Sequence, residues 1–182
     1  MEIVTIKDKD FEKYITNEEI ASIVITLSKR INEDYHDKEI YFLVVLNGAF
    51  IFAADLLKNI EGFPKISFIK ISSYSGLSSS GEIKELIGLN EDIKDKHIIV
   101  IEDIVDTGKT MEGLLKMLRA KEPSSLEVCT LMFKPNAFQK EFPIKYIGKE
   151  ISDEFIIGYG FDYDGYGRNL KDIYQLKTVD KE

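Results

Sequence analysis

The sequence is poor in the residue types that mark secreted and metal-cluster proteins. It contains one cysteine and two histidines in 182 residues. Cys129 cannot form a disulfide within the chain, which favours a reducing compartment. His36 and His97 have no neighbouring cysteine or histidine at metal-ligand spacing, so structural or surface roles are expected for both. We therefore expect a cytoplasmic protein.

Long apolar runs and an excess of basic residues are also absent. The longest apolar runs, such as Phe42 to Leu46 and Ile98 to Ile101, are too short to cross a bilayer. Lys and Arg number 24 against 32 Asp and Glu, giving a formal net charge of -8. Neither a membrane nor a nucleic acid is therefore expected as a partner. An acidic chain can still bind a small polyphosphate if a divalent cation and local donors offset the repulsion.

Helix and strand patterns alternate along the chain. Thr16 and Glu19 form a T-x-x-E capping box for a helix predicted from Asn17 to Tyr35, and a second helix is predicted from Ala49 to Asn59. A third helix is predicted to begin near Met111 and to stop near Pro123. Strands are predicted at Ile40–Leu46, Lys65–Ser72, Ile98–Ile101, Leu126–Phe133, Ile144–Ile147 and Phe155–Phe161. The alternation predicts one α/β domain, residues 1–182, with a mostly parallel sheet.

Polar residues follow several of the predicted strands. Ligands of open parallel sheets bind outside the carboxyl ends of the strands. Those positions hold Asn47-Gly48, the stretch Glu102 to Thr110, Lys134 and Asp162. A hydroxyl-rich stretch, Ser73 to Glu82, could fold over the same edge as a lid that excludes water.

The stretch VIEDIVDTGKT, residues 100–110, ends like a P-loop but has Asp103 where that motif needs its first glycine. Three acids, Glu102, Asp103 and Asp106, replace the glycine-rich turn. Such acids can bind a sugar diol or the waters of a magnesium ion, or they can be solvated charges. The helix start after Asp106 suits a phosphate monoester or ordinary N-capping. Strand geometry predicts that the Glu102 and Asp103 side chains diverge.

These residues resemble a known family. IVIEDIVDTGKT resembles the phosphoribosylpyrophosphate-binding motif of the type I phosphoribosyltransferases. Four further motifs are similar to those of the hypoxanthine-guanine phosphoribosyltransferases, and the resemblance runs from about residue 40 onward: LNGAFIF at 46–52, ISSYSG at 71–76, LMFKP at 131–135 and DEFIIGYGFDYDGYGRNL at 153–170. The resemblance implies the type I fold, with helices around a parallel sheet, a small hood made of the N- and C-terminal segments, and a mobile lid at about 73–86.

The resemblance also implies a reaction in purine salvage. The enzyme would transfer the phosphoribosyl group of 5-phosphoribosyl 1-pyrophosphate to N9 of hypoxanthine or guanine, with Mg²⁺, giving IMP or GMP and pyrophosphate. Asp106 would be the general base at N7 of the purine. The phosphoribosyl group and its 5'-phosphate would be bound by Glu102, Asp103, Asp106, Thr107, Gly108, Lys109 and Thr110.

The other site residues are also implied by the resemblance. Lys134 would donate to the 6-oxo group of the base. Phe155 would stack on the base, and Ile156 would meet its edge through backbone groups. Asp162 would also bind the purine, and Glu102, Asp103 and Asp162 would be metal ligands. Pyrophosphate would be bound by Asn47, Gly48 and Arg168. The lid would include Ser73 and Tyr74.

Some alternatives stay open. Many relatives carry Lys or Arg where this chain has Asn47, so pyrophosphate would depend more on backbone amides and Arg168. The preferred base could be xanthine or another base. A non-catalytic regulator of the same fold that senses nucleotides is the alternative from another class. Family members form dimers or tetramers, and the sequence does not decide between them.

Overall fold

Two sheets and three helices make up the computed structural model, which describes residues 2–73, 83–87, 89 and 91–177. The elements follow one another as β1 (Ile3–Ile6), β2 (Lys9–Ile15), α1 (Asn17–Asp34), β3 (Ile40–Leu46), α2 (Phe50–Leu57), β4 (Lys65–Ser73), β5 (Ile83–Ile87), β6 (His97–Val105), α3 (Lys109–Arg119), β7 (Ser125–Phe133), β8 (Tyr146–Glu150), β9 (Ile156–Ile157) and β10 (Ile173–Leu176).

The larger sheet has the strand order β5-β4-β3-β6-β7-β8. Its strands are parallel except β5, which runs antiparallel to β4. The predicted α/β fold with a mostly parallel sheet is therefore confirmed. The chain leaves β3 to form β4 on one side and later forms β6 on the other side. The carboxyl ends of β3 and β6 thus flank a crevice at the point where the strand order reverses.

Strand β3 is buried on both faces because helices cover both. Phe42 and Val44 pack in the core beneath α1 and α2. Leu43 and Val45 point to the opposite face, where they join the core that contains the buried leucines of α3. The continuous apolar run of β3 follows from this double coverage.

Helix α1 begins where its sequence predicts. The Thr16 hydroxyl accepts a hydrogen bond of 3.2 Å from the Glu19 amide, which satisfies one of the free donors of the first turn. The helix ends at Asp34, one residue before the predicted end. Among the residues described, no helix combines the length and the apolar character that crossing a membrane requires.

The smaller sheet is antiparallel and has the order β1-β2-β10-β9. It combines residues near the two ends of the chain, the segments that the family resemblance assigns to the hood. Strands β1, β2 and β10 were not predicted. β1 and β10 have four residues each, and the pairing of β2 with β10 joins residues near opposite ends of the sequence, so the segments alone carry a weak signal.

The predicted strand Phe155–Phe161 is wrong over most of its length. Only Ile156 and Ile157 form β9. The next three residues have positive φ angles, 94° at Gly158, 49° at Tyr159 and 106° at Gly160, which strand geometry excludes. The chain therefore turns back at this point. The strand predicted at Ile144–Ile147 is shifted to Tyr146–Glu150.

The region predicted as a lid is described only in part. Ser73 is the last residue of β4, and β5 (Ile83–Ile87) covers the end of the predicted 73–86 lid segment. Tyr74 and the rest of segment 74–82 lie outside the described residues.

One buried carboxylate joins the smaller sheet to helix α1. Asp172, 3% exposed just before β10, accepts a hydrogen bond of 2.8 Å from the Asn17 amide at the start of α1. Its other oxygen lies 2.8 Å from the Lys13 ammonium on β2. The Lys13 ammonium lowers the pKa of Asp172, so the carboxylate is held in its charged form.

Removing this charge is expected to destabilise the fold. Asp172→Asn should lower the free energy of unfolding by about 1.5–3 kcal/mol, the usual contribution of a hydrogen bond to a charged group. Urea denaturation at pH 7 measures it. The matched control is Asp164→Asn, which removes the same charge from a solvent-exposed pair with Lys7 and should change stability little.

The pH dependence of the free energy of unfolding provides a second test of the Asp172 contacts. Since the folded pKa of Asp172 is lowered, its contribution is present above the ordinary aspartate pKa of about 3.9 and is lost as pH falls through the lower folded pKa. An equal loss of stability in both variants would contradict the assigned role.

Candidate active site

A turn after β3 lies directly against an acid at the end of β6. A Cβ atom placed on Gly48 would lie 1.6 Å from Oδ2 of Asp103. Asn47, the preceding residue, is exposed and follows a cis peptide bond. The crevice between β3 and β6 thus brings the Asn47-Gly48 turn and Asp103 together, and any side chain at position 48 would displace the Asp103 carboxyl group.

The carboxyl groups of Glu102 and Asp103 contact each other. The prediction that they diverge is wrong, because each turns toward a backbone amide: Asp103 accepts from Ile104 N at 2.9 Å, and Glu102 from Asp103 N at 3.3 Å. Burial and the neighbouring Asp103 carboxyl raise the pKa of Glu102 well above its usual range. Burial also raises the pKa of Asp103, partly opposed by hydrogen bonds and by the charge of Arg168.

Two carboxyl groups at such close range favour a partner that supplies positive charge or hydroxyl donors. Carboxylates are the ligands that magnesium prefers, usually together with water and substrate oxygens. In the described part of the chain, no group of three or more His, Cys, Asp or Glu side chains could hold a metal ion by itself. A magnesium ion here would therefore complete its shell with oxygens from water or substrate.

The turn before α3 encloses a small cavity of about 110 Å³. Its walls contain the predicted residues Glu102 and Asp106 to Thr110, together with Ile104, Val105 and Met111, which the sequence reasoning missed. The turn lies at the amino end of α3, where backbone amides make a suitable environment for a phosphate group.

Gly108 holds this turn against the segment after β7. Its φ angle is 78°, and a Cβ atom there would lie 2.6 Å from the Phe138 ring. The Thr107 carbonyl also accepts a hydrogen bond of 3.3 Å from the Gln139 amide. Phe138 and Gln139 lie far from the motif in sequence, so no local pattern signals their role.

Lys134 lies beside Asp106. The lysine is 7% exposed, and its ammonium lies 3.7 Å from Oδ2 of Asp106. It also donates a hydrogen bond of 3.2 Å to the Asp153 carbonyl, a contact that sequence reasoning missed. Asp106 is half exposed and so remains accessible to a ligand. The two predicted base-side residues thus meet at the edge of the phosphate-sized cavity.

Phe155 is a partly exposed aromatic residue. It is 45% exposed, and its ring centroid lies 6.3 Å from that of Phe11 and 6.0 Å from that of Tyr163. The neighbouring Ile156 is buried in β9. Phe11 and Tyr163 therefore pack against Phe155 and leave part of its ring exposed.

Asp162 and Arg168 form an ion pair with each other. Asp162 also accepts a hydrogen bond of 2.7 Å from the Gly165 amide, and Arg168 donates to the Gly160 carbonyl. A Cβ atom on Gly160 would lie 2.1 Å from the Gly48 carbonyl oxygen. The loop after β9 thus rests on the Asn47-Gly48 turn and brings Arg168 close enough to act on Asp103.

A larger cavity of about 240 Å³ lies beside Tyr35, Ile40 and Phe63. Ile40 is the first residue of β3, so this cavity is at the amino ends of the strands. Open parallel sheets bind their ligands at the other end. The smaller cavity beside Asp106 is for this reason the better candidate for the reaction site.

The chain is similar to known proteins over most of its length. A model of the phosphoribosyl transferase domain matches residues 11–164. A hypoxanthine-guanine phosphoribosyltransferase of Staphylococcus epidermidis is 39% identical over 172 residues, which cover 93% of this chain and 96% of the relative.

Two solved structures are also similar. A hypoxanthine phosphoribosyltransferase from Staphylococcus aureus has a TM-score of 0.87 at 38% identity, with 91% of each chain covered. A hypoxanthine phosphoribosyl transferase from Trypanosoma cruzi, described for the role of its C-terminal region in oligomeric state and activity, has a TM-score of 0.87 at 32% identity, covering 96% of this chain and 95% of the relative.

A glycine comparison tests the turn before α3. Gly108 and Gly62 share a φ of 78°, but a Cβ atom on Gly62 would have no heavy atom within 4 Å. Both Gly62→Ala and Gly108→Ala carry the backbone strain, about 1–2 kcal/mol. Gly108→Ala should cost at least about 1 kcal/mol more because its Cβ displaces Phe138. Urea denaturation compares the two, and equal losses would contradict the tight packing at Gly108.

Proposed function

Because the chain belongs to the phosphoribosyltransferase family and is an enzyme of that family, we propose that it acts in purine salvage. It transfers the phosphoribosyl group of 5-phosphoribosyl 1-pyrophosphate to N9 of hypoxanthine or guanine. The products are IMP or GMP and pyrophosphate. The identity of about two fifths with a hypoxanthine-guanine enzyme, over nearly the whole of both chains, supports this enzyme over a non-catalytic nucleotide sensor.

The observation that carries the proposal is the distance of 3.7 Å between the Lys134 ammonium and the Asp106 carboxylate. A 6-oxopurine presents O6 and N7 side by side on one edge of the base. One donor and one acceptor a few ångströms apart match that edge. Lys134 donates to O6, which selects oxopurines over adenine, and Asp106 faces N7.

The phosphoribosyl group extends from Asp106 into the cavity before α3. The amides and hydroxyls of Thr107 to Thr110 bind the 5'-phosphate, while Glu102 and Asp103 accept hydrogen bonds from the ribose hydroxyls. A cavity of about 110 Å³ accommodates one phosphate group. Phe155 stacks on the base, and Ile156 meets its edge through backbone groups.

Pyrophosphate lies at the opposite side of the ribose. The amides of the Asn47-Gly48 turn and the Arg168 guanidinium bind it. Asn47 contributes no charge, so Arg168 carries most of the electrostatic interaction. Arg168 pairs with Asp162 in the free protein, and the phosphate oxygens compete for that guanidinium.

Magnesium fits the carboxylate groups of this site. Glu102 and Asp103 are two adjacent acids at the strand end; burial raises the pKa of both, and the neighbouring Asp103 charge raises that of Glu102 further. They would hold one ion through its waters, and Asp162 would hold a second. When bound, magnesium neutralises charge on the pyrophosphate oxygens.

The transfer breaks the bond between ribose C1 and pyrophosphate and forms the bond from C1 to N9. The ribose passes through a state with positive charge on its ring, by analogy with glycoside cleavage. Glu102 and Asp103 stabilise that charge. As N9 bonds to C1, the Asp106 carboxylate accepts the proton from N7, and Arg168 stabilises the departing pyrophosphate.

The proposal extends to a lid and a location. A lid at about 73–86, including Ser73 and Tyr74, would cover the site during turnover and keep water from the reactive ribose. The single cysteine, Cys129, is buried and free, in agreement with a cytoplasmic location.

The reaction and its base are tested together. The purified protein with 5-phosphoribosyl 1-pyrophosphate, Mg²⁺ and hypoxanthine, guanine or xanthine is followed by ultraviolet absorbance, and IMP and GMP are expected. No nucleotide from hypoxanthine or guanine would refute the proposal, and faster reaction with xanthine would reassign the base.

In the same assay Asp106→Asn should lower kcat by about 10²–10⁴-fold, because the amide cannot accept the N7 proton. Its affinity for IMP should change much less, and equal losses would make Asp106 a binding residue only.

We also infer that the protein forms a homodimer or homotetramer. Ile66 and Phe68 of β4 form an apolar patch in which they are 46% and 47% exposed, and Phe63, two residues before the strand, is 100% exposed. Ile66 and Phe68 lie beside Phe42 and Val44 in the sheet, on the face covered elsewhere by α1 and α2. A second copy of the chain would cover this patch.

A charge on the apolar patch is expected to break the assembly. Phe68→Glu should shift the sedimentation coefficient toward the monomer, because the partner would bury the new carboxylate. The control is Ile25→Glu at a similarly exposed isoleucine of α1, 46% exposed, which should leave the assembly intact. An unchanged assembly in the Phe68 variant would exclude this patch as the interface.

A further inference from the structure

The loop after β9 contains a buried tyrosine in an unusual conformation. Tyr159 is 3% exposed and has a φ of 49°, a backbone conformation that residues other than glycine seldom adopt. Its backbone amide donates a hydrogen bond of 2.7 Å to the Leu170 carbonyl. Surrounding contacts must therefore hold the residue in place.

One of those contacts reaches another element. The Tyr159 hydroxyl donates a hydrogen bond of 2.8 Å to Oδ2 of Asp55 on α2. The other oxygen of Asp55 lies 2.9 Å from the Lys58 ammonium, which keeps the carboxylate oriented. Helix α2 begins at Phe50, two residues after Gly48. The bond thus ties the loop after β9 to the helix that follows the Asn47-Gly48 turn.

The next residue of the loop lies against that turn. Gly160 approaches the Gly48 carbonyl so closely that a Cβ atom would lie 2.1 Å from its oxygen. The Gly160 amide donates a hydrogen bond of 3.0 Å to the Arg168 carbonyl, and the Arg168 guanidinium donates one to the Gly160 carbonyl. A shift of Tyr159 would therefore move Gly160 and Arg168 together relative to Gly48.

We propose that Tyr159 and Asp55 are positioning residues for the pyrophosphate end of the site. Their hydrogen bond holds Arg168 at a fixed distance from the Asn47-Gly48 turn, and neither side chain touches the substrate. This inference rests on the proposed function, since it assigns Arg168 and the turn to pyrophosphate. Losing the bond should weaken binding of pyrophosphate and of 5-phosphoribosyl 1-pyrophosphate and affect the base little.

A second buried tyrosine provides the control. Tyr146 is 0% exposed, and its hydroxyl donates a hydrogen bond of 2.7 Å to Asp34 on α1. Tyr146 is the first residue of β8, at the amino end of that strand, away from the site. Tyr146→Phe and Tyr159→Phe delete the same atom from the same kind of bond, so a purely structural role predicts the same outcome for both.

Both variants should lower the melting temperature. Only Tyr159→Phe should raise the KM for 5-phosphoribosyl 1-pyrophosphate and the Kd of magnesium pyrophosphate measured by calorimetry. The expected change is about 5- to 10-fold, the effect of about one hydrogen bond. The KM for hypoxanthine should change less than about 2-fold, as should all three constants in Tyr146→Phe.

Substitution at Asp55 tests the acceptor independently. Asp55 is partly exposed, so both Asp55→Asn and Asp55→Ala should fold. The asparagine keeps an oxygen that accepts from Tyr159, so its Kd for pyrophosphate should rise less than that of the alanine variant. Equal Kd values for these two, or for the two tyrosine variants, would overturn the inference. The calorimetric comparison does not depend on turnover, so an inactive wild type would refute the proposed reaction separately.

Discussion

The close contact between the Asn47-Gly48 turn and Asp103 is the constraint on which the site depends. Strands β3 and β6 are neighbours in the sheet, and their carboxyl ends point into the same crevice. The turn can lie on the Asp103 carboxyl group only because Gly48 has no side chain, and Gly160 lies on the Gly48 carbonyl for the same reason. Two glycines thus allow three segments to converge.

This convergence has an electrostatic cost. Glu102 and Asp103 bring two carboxyl groups into contact where burial raises the pKa of both. The Arg168 charge acts in the opposite direction on Asp103, but Arg168 is itself paired with Asp162. The free protein therefore holds a group of charges that are only partly compensated. The proposed ligand, a magnesium-bound pyrophosphate ester, would supply both a cation and anionic oxygens that could rearrange these pairs.

Most strands of the main sheet could be predicted from sequence because their signals are local, whereas β5, which overlaps the segment predicted as a lid, was not predicted. The apolar run of β3 and the capping residue Thr16 identify their elements without reference to any partner. The smaller sheet could not, since β9 has two residues and pairs with a strand near the C-terminus. The left-handed conformation of Tyr159 also has no local signal, as it is held by contacts with distant residues.

The candidate site could also be predicted only in part. The strand-end motif predicts that acids, a glycine and threonines lie together, and all of them except Asp103 line the cavity at the start of α3. The contacts between side chains were less predictable. Period-two geometry fails for Glu102 and Asp103 because short carboxylate side chains turn back to backbone amides. The pairing of Asp162 with Arg168, two residues assigned to different ligands, depends on a loop whose path the sequence does not reveal.

Lys134 connects the two halves of the site. Its ammonium forms an ion pair with Asp106 at the end of the main sheet and a hydrogen bond with the Asp153 carbonyl, in the segment that leads to β9 and the smaller sheet. A lysine has three donors, and these contacts engage at most two of them. One donor thus remains for the proposed contact with the 6-oxo group of a base, which would lie between Asp106 and Phe155. Because the other two contacts come from different halves of the molecule, the direction of that donor depends on how the two sheets are held together.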